Sequence, residues 1–336
     1  MPAQGFDVVR KDIASVASRR EPVARPNDEA VHIPANGFSL AATVSLPSQK
    51  PSPAFRFPAV VLVSGSAPID RDETMSGIPI FGQLASALAD AGYVVLRYDK
   101  RGVGQSGGRP EAVTLEDYAE DVLATVKYLD RRKDVDPKRI ALLGYGEGGA
   151  VASYAASRDD HVAALVLVAA PGVTGAELVL EQQRRLLSLM KITDDEKRQK
   201  LELQEKIQKA VLSGYWPDSI PQLMRRQADT PWYHSYLLFD PAKTLKKTDQ
   251  PLLIVHGELD RQIDPANADK LNAIGRARKK RAGEAVKEVK LPGVNHLLAA
   301  ATTGEADEYD RLADKTISPA VASTVASWLG TAMGKR

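Results

Sequence analysis

Apolar residues are distributed along this chain in two alternating ways, as short unbroken runs and as recurrences every three or four positions. The first pattern suits a strand buried on both faces, the second a helix with one apolar side. Residues 59–63 form such a run, and residues 93–98, 139–143, 162–169, 251–255 and 286–291 read as further strands. Between them lie predicted helices at 81–91, 114–131, 147–157, 266–277 and 318–333. The clearest is 114–131, where Thr114 stands as N-cap and Leu115, Tyr118, Val122, Val126 and Leu129 recur at helical spacing. Repeated strand–helix–strand units imply an α/β fold: a mostly parallel sheet with helices on both faces.

Two regions depart from the alternation. Residues 29–34 and 38–47 read as two strands around the turn Ala35-Asn36-Gly37, a hairpin signal. Residues 1–28 before them, polar and broken by Pro22 and Pro26, read as an N-terminal arm. From Pro171 to about residue 245 the strands stop and polar helical sequence takes over, with Thr193-Asp194-Asp195-Glu196 in the form of a capping box. Helices inserted between two strands of a parallel sheet are placed to act as a lid over the strands' C-terminal ends, where such folds bind ligands. The expected organisation is an arm at 1–28, a core at 29–170 and 246–336, and a helical lid at 171–245.

Composition narrows the classes. Apolar residues make up 43% of 336, ample for a core, and 45 basic against 43 acidic residues leave a net charge of +2. That balance gives no reason to expect nucleic acid, a membrane surface or an acidic polymer as partner. The basic run from Arg276 to Arg281 reads as a solvated helix end. Without cysteine there is no disulfide, thiolate nucleophile or thiolate metal ligand. The five histidines are scattered without ligand spacing, so no metal site is expected. No apolar stretch approaches the roughly 20 residues of a bilayer span. No leader-like apolar segment follows Met1 either, so a soluble chain is expected, cytoplasmic or exported with its leader removed.

The chemistry concentrates at three loops. Gly144-Tyr145-Gly146-Glu147-Gly148-Gly149 joins a predicted strand to a helix and matches the nucleophile-elbow form G-x-S-x-G, with Gly146 where the serine belongs. Glycine accepts the strained backbone of that turn and supplies no nucleophile. Gly144, Gly146 and Gly149 also satisfy the dinucleotide spacing G-x-G-x-x-G, but no acidic residue ends the next strand, and no Lys-Ser or Lys-Thr follows for a phosphate loop. Farther on, the strand at 251–255 runs into Asp260, and the strand at 286–291 runs into His296. The order nucleophile, acid, histidine is that of the α/β hydrolases. Asp264 is the competing acid, and Ser64-Gly65-Ser66 places a turn after the first buried strand.

These segments, with 97–106 and the loop Asp70-Arg71-Asp72-Glu73, resemble bacterial carboxylesterases of the α/β-hydrolase superfamily, of the serine aminopeptidase-like subgroup. The likeness covers about residues 29–335 and departs at Gly146, where the family has serine. It implies short-chain esters as substrates, a small-molecule partner and no cofactor. By the triad chemistry His296 would be general base and acid, with Asp260 fixing its tautomer. The backbone N–H groups of Ser66 and Glu147 would form the oxyanion hole. Tyr145, Trp216, Trp232, Tyr233 and Leu297 are candidates to line the substrate pocket. His256 reads as a structural residue at a strand end, while His32, His161 and His234 lie away from the motifs.

Gly146 leaves three readings open. The chain is an esterase disarmed by removal of its serine, a natural binding protein that keeps the pocket without turnover, or a catalyst that uses the Asp260–His296 pair alone. The first is preferred, because the partner residues are all in place.

Overall fold

The structure is a computed structural model that describes residues 23–49, 55–65 and 69–334. Eight strands form one sheet: β1 (Asp28–Pro34), β2 (Ser39–Ser45), β3 (Phe57–Val63), β6 (Val94–Tyr98), β7 (Val135–Tyr145), β8 (Val162–Val168), β9 (Leu252–Gly257) and β10 (Val286–Leu291). Two short strands, β4 (Thr74–Met75) and β5 (Ile78–Pro79), make a separate hairpin that the sequence pattern did not reveal. The sheet order is β1-β2-β6-β3-β7-β8-β9-β10. β1 pairs antiparallel with β2, and β2 with β6, while every pairing from β6 to β10 is parallel.

Because the parallel strands are covered on both sides, alternate residues of one strand enter different cores. Ala59, Val61 and Val63 of β3 join one apolar cluster, Val60 and Leu62 the other. Helices α1 (Ile80–Asp90) and α11 (Pro319–Ala332) close the second cluster. Helices α2 (Leu115–Asp130), α3 (Gly148–Ala156) and α9 (Ala266–Arg276) close the first. Thr114 caps α2 through a full capping box with Asp117.

Between β8 and β9 the chain is helical, as the sequence predicts: α4 (Gly175–Leu189), α5 (Asp194–Ser213), α6 (Gln222–Ala228), α7 (Pro231–Leu238) and α8 (Pro241–Leu245). Thr193 and Glu196 form the expected capping box at the start of α5. No helix among the described residues is long and apolar enough to cross a membrane.

In the basic run at 276–281, Arg276, Lys279 and Arg281 are exposed, as a solvated helix end should be, and Arg278 alone departs from that reading. Arg278 is buried beside α10 (Lys280–Glu284), and its guanidinium donates to the carbonyl oxygens of Gly275, Thr248, Gln250 and Ala282. Burial pulls its proton affinity down. At the N-terminal side, the arm's residues 1–22 lie outside the described residues, and Arg25 is tied to Ser86 and Asp90 of α1.

Candidate active site

Gly146, Asp260 and His296 follow β7, β9 and β10, so all three stand at the C-terminal edge of the parallel sheet. The turn after β7 is tight. The N–H of Gly146 donates to the Val168 carbonyl at 3.0 Å, and its own carbonyl accepts from the N–H of Gly149 at 3.0 Å. Gly146 has φ +55°, in the left-handed region, yet a Cβ built there meets nothing within 4 Å. Its neighbours have no such room. A Cβ at Gly144 would lie 2.3 Å from the Gly148 carbonyl oxygen, and one at Gly148 would lie 2.1 Å from the Val63 carbonyl oxygen. Backbone contact therefore demands glycine at 144 and 148, whereas the apex stands open.

At the same edge of the sheet, His296 Nδ1 lies 2.8 Å from Asp260 Oδ2. Both are buried, at 6% and 1% exposure. Asp260 Oδ1 accepts the backbone N–H groups of Gln262 and Ile263, each at 2.9 Å. Burial acts to raise the Asp260 carboxyl, but the field of His296 and the hydrogen bonds from His256 and His296 overcome it and hold the group below the ordinary carboxylate range. The competing acid, Asp264, is exposed and accepts the Ala266 N–H just before α9. His296 Nε2 meets no hydrogen-bond partner among the described residues. Its loop is fixed instead by Asn295, whose side chain accepts the Ala299 N–H, and by Tyr145, whose hydroxyl donates to the His296 carbonyl at 2.8 Å. Left-handed φ angles at Ala169 and Leu298, next to this edge, mark strained turns of the kind that gather at functional sites.

Beside the turn lies a buried charged group that sequence reasoning missed. Glu73, itself at φ +48°, accepts the Gly65 N–H, and Lys100 Nζ donates to the Gly65 carbonyl at 2.5 Å. Lys100 Nζ is also 3.8 Å from Glu147 Oε1. The loop that carries Glu73 is anchored by a two-pronged Arg71–Asp99 pair and by Arg97 on Asp72. Burial pushes the Glu73 carboxyl up to about 8, against the lowering pull of Lys100 and the Gly65 N–H. Both stretches, 70–73 and 97–106, were marked in the sequence, but nothing in residue spacing pairs Glu73 with Lys100.

The expected pocket residues are divided among different environments. Trp232 of α7 reaches the turn, its Nε1–H donating to Glu147 Oε1 at 3.2 Å, and its ring stacks on Tyr236. Tyr145 is buried between Phe81 and His296. Leu297 is wholly buried in the second apolar cluster. Trp216, half-buried, lies under the guanidinium of Arg225, and the Tyr233 hydroxyl accepts from Gln204. Ser66 lies outside the described residues. No group of three or more His, Cys, Asp or Glu side chains among the described residues is disposed to hold a metal ion.

Comparison with known proteins bears on the family and the fold. Residues 76–298 match the family model of serine aminopeptidase, S33. The chain is 32% identical over 208 residues to the esterase EstD of Thermotoga maritima, an alignment covering 62% of this chain and 47% of that protein. It is also 32% identical over 133 residues to thiohydrolase apmlB of Arthrinium phaeospermum, covering 39% and 38% respectively. The chain thus spans half or less of the length of these two relatives. Among solved structures, the α/β hydrolase GrgF of Penicillium sp. sh18 superposes with TM-score 0.59 at 20% identity, covering 91% of this chain and 99% of that one. Est1E of Butyrivibrio proteoclasticus superposes with TM-score 0.55 at 19% identity, covering the same shares of each. At such identities the two structures speak for the fold alone, the α/β-hydrolase fold. The matched family model spans β5 to the His296 loop, and by it the chain belongs to the serine aminopeptidase (S33) family of α/β hydrolases.

Proposed function

We propose that the chain is a carboxylesterase-type serine hydrolase whose nucleophile position is occupied by Gly146, and which is disarmed as it stands. The observation that carries this reading is the 2.8 Å Asp260–His296 hydrogen bond at the sheet edge that also presents the open apex of Gly146. An esterase among the relatives supports esters as the substrate class, and short-chain acyl esters are what the family resemblance implies.

With serine at position 146, the chemistry would run as follows. His296 Nε2 takes the serine proton as Oγ bonds to the ester carbonyl carbon. The tetrahedral oxyanion is held by the backbone N–H of Glu147, at the positive end of helix α3, and by that of Ser66. Its collapse breaks the C–O bond, and His296 returns the proton to the leaving alcohol. Water then attacks the acyl group with His296 again as base, releasing the acid and restoring the serine. Asp260 keeps His296 in the tautomer with Nδ1 protonated, which leaves Nε2 as the base. In this reading the helices at 171–245 form a lid that meets the turn through Trp232.

The test is hydrolysis of a chromogenic short-chain ester by three chains: the one described, Gly146→Ser, and Gly146→Ser with His296→Ala. Losing the nucleophile of a triad costs on the order of 10⁶ in turnover. Activity is expected in the Gly146→Ser chain alone. An acyl adduct found by mass spectrometry on the Gly146 chain would overturn the assignment. Hydrolysis by none of the three would leave binding without turnover, or chemistry by the Asp260–His296 pair, as the surviving readings.

A further inference from the structure

His256, set aside as structural by its position at a strand end, stands within the candidate site. It is fully buried, and its Nε2 lies 2.9 Å from the Ile263 carbonyl and 3.2 Å from Asp260 Oδ2. Both partners are acceptors only, so Nε2 must carry the hydrogen and share it between them. Nδ1 meets no partner among the described residues. A charged imidazolium would bury a second N–H with nothing to receive it, which fixes His256 as the neutral tautomer protonated at Nε2.

Asp260 Oδ2 is therefore served by two imidazoles, His256 at 3.2 Å and His296 at 2.8 Å, while Oδ1 is served by two backbone N–H groups. We propose that His256 is a positioning residue of the active site: it locks the Asp260 carboxylate and draws on the oxygen that faces His296, which keeps the base unprotonated to lower pH. This rests on the triad reading above and deepens it.

The physical argument is one of shared charge. A hydrogen bond to a carboxylate stabilises its ionised form and reduces its pull on other donors. Without the His256 N–H, Asp260 would attract the His296 imidazolium more strongly, and His296 would hold its proton to higher pH. The Ile263 contact adds a mechanical part, since it ties the loop that carries Asp260 back to β9. A residue that merely fills space would do neither.

The other ionisable groups around the pair are distinguishable. Tyr145 and Tyr309 face it, and burial pushes both phenols up, Tyr309 to about 12. Asp269 on α9 is held in its charged form by Lys290, which also faces Glu288. Glu73, raised to about 8, acts on Tyr145 from the far side.

Heteronuclear NMR of the histidine rings tests the proposal in the Gly146 chain itself, without turnover. In the unaltered chain, His256 is expected to keep its neutral Nε2-protonated form across the titration of His296. Titration of His256 in that range, or a proton on its Nδ1, would overturn the proposal. His256→Leu, which keeps bulk and removes the donor, is expected to raise the His296 midpoint by about 0.5 to 1 unit. His256→Gln, whose amide nitrogen sits near the place of Nε2, is expected to restore the original midpoint. A folded His256→Leu chain with an unmoved midpoint would refute the role, as would equal rises in both variants. In an active Gly146→Ser background, the acid limb of kcat/KM should move with the NMR midpoint. If Gly146→Ser proves inactive, the esterase reading fails while the NMR result stands or falls alone.

Discussion

The open apex at Gly146 makes a contrast that heat can measure. Gly146→Ser places a side chain where φ is +55° and no heavy atom lies within 4 Å, so the cost is conformational and not steric. A left-handed backbone costs an L-residue about 1–2 kcal/mol. Replacing glycine returns about 0.4–1 kcal/mol by restricting the unfolded chain, which leaves a net loss of about 1 kcal/mol. Unfolding entropy of about 2.1 cal/mol/K per residue gives a 336-residue chain about 0.7 kcal/mol/K. The melting temperature should then fall by about 1–2 °C.

Gly148→Ala, two positions on, should behave quite differently. Its Cβ would sit 2.1 Å from the Val63 carbonyl oxygen and 2.6 Å from that of Ser64, both backbone atoms. Relief requires α3 to move off β3, at a cost above about 4 kcal/mol and a fall of more than about 5 °C. Differential scanning calorimetry of both variants at one pH is sufficient. Equal losses, or a rise in melting temperature for Gly146→Ser, would refute the turn geometry from which the nucleophile assignment is drawn.

Two further outcomes follow from the buried contacts beside the turn. Glu73 is raised to about 8 in the folded chain, above an unfolded value of about 4.3. Its contribution to stability is therefore full below about pH 4.3 and lost as pH rises through about 8, and Glu73→Gln should flatten the fall in melting temperature across that window. An unchanged slope would mean that Glu73 is ionised throughout. Trp232→Phe removes the 3.2 Å bond to Glu147 Oε1 and should cost about 1–3 kcal/mol. Limited proteolysis should then cut faster within 171–245, and an unchanged cleavage rate would make the contact incidental.

The fold was legible where burial dictates composition. Strands covered on both faces must be apolar throughout, so β3, β8 and β9 announce themselves, and an N-cap threonine and a capping box mark the starts of α2 and α5. The start of β7 was not legible, because it runs through Asp136-Pro137-Lys138, polar and proline-bearing, at the periphery of the sheet. Arg278 was misread for a related reason: an arginine in a basic run ordinarily faces water, and only the fold brings four carbonyls around this one.

The site divides the same way. Gly146, Asp260 and His296 are recognisable because chain order and strand ends constrain them, and the fold brings all three to one edge. His256 escaped notice because its partnership with Asp260 arises within a four-residue turn, a spacing that by itself signals nothing. Lys100 and Glu73 are 27 residues apart and converge on the carbonyl and the N–H of one residue, Gly65. Charged residues are read from sequence as surface, so a buried pair of them is visible only once the loops are folded.

What separates the three readings of Gly146 is the cost of its surroundings. Glycine at the apex is the residue the backbone alone would choose, since φ there is +55°, and it says nothing about use. A carboxylate at 1% exposure is another matter. Taking it out of water is expensive unless each lone pair is met, and here two histidines and two N–H groups are committed to meeting them. An apolar side chain of similar volume at 260 would close the same turn without that demand. A binding protein needs neither the carboxylate nor the orientation it imposes on His296, and a reaction by the pair alone leaves the empty apex without a purpose. On this ground we favour the disarmed hydrolase proposed above, in which the open space at Gly146 and the costly Asp260–His296 pair, at one edge of the sheet, serve the same step.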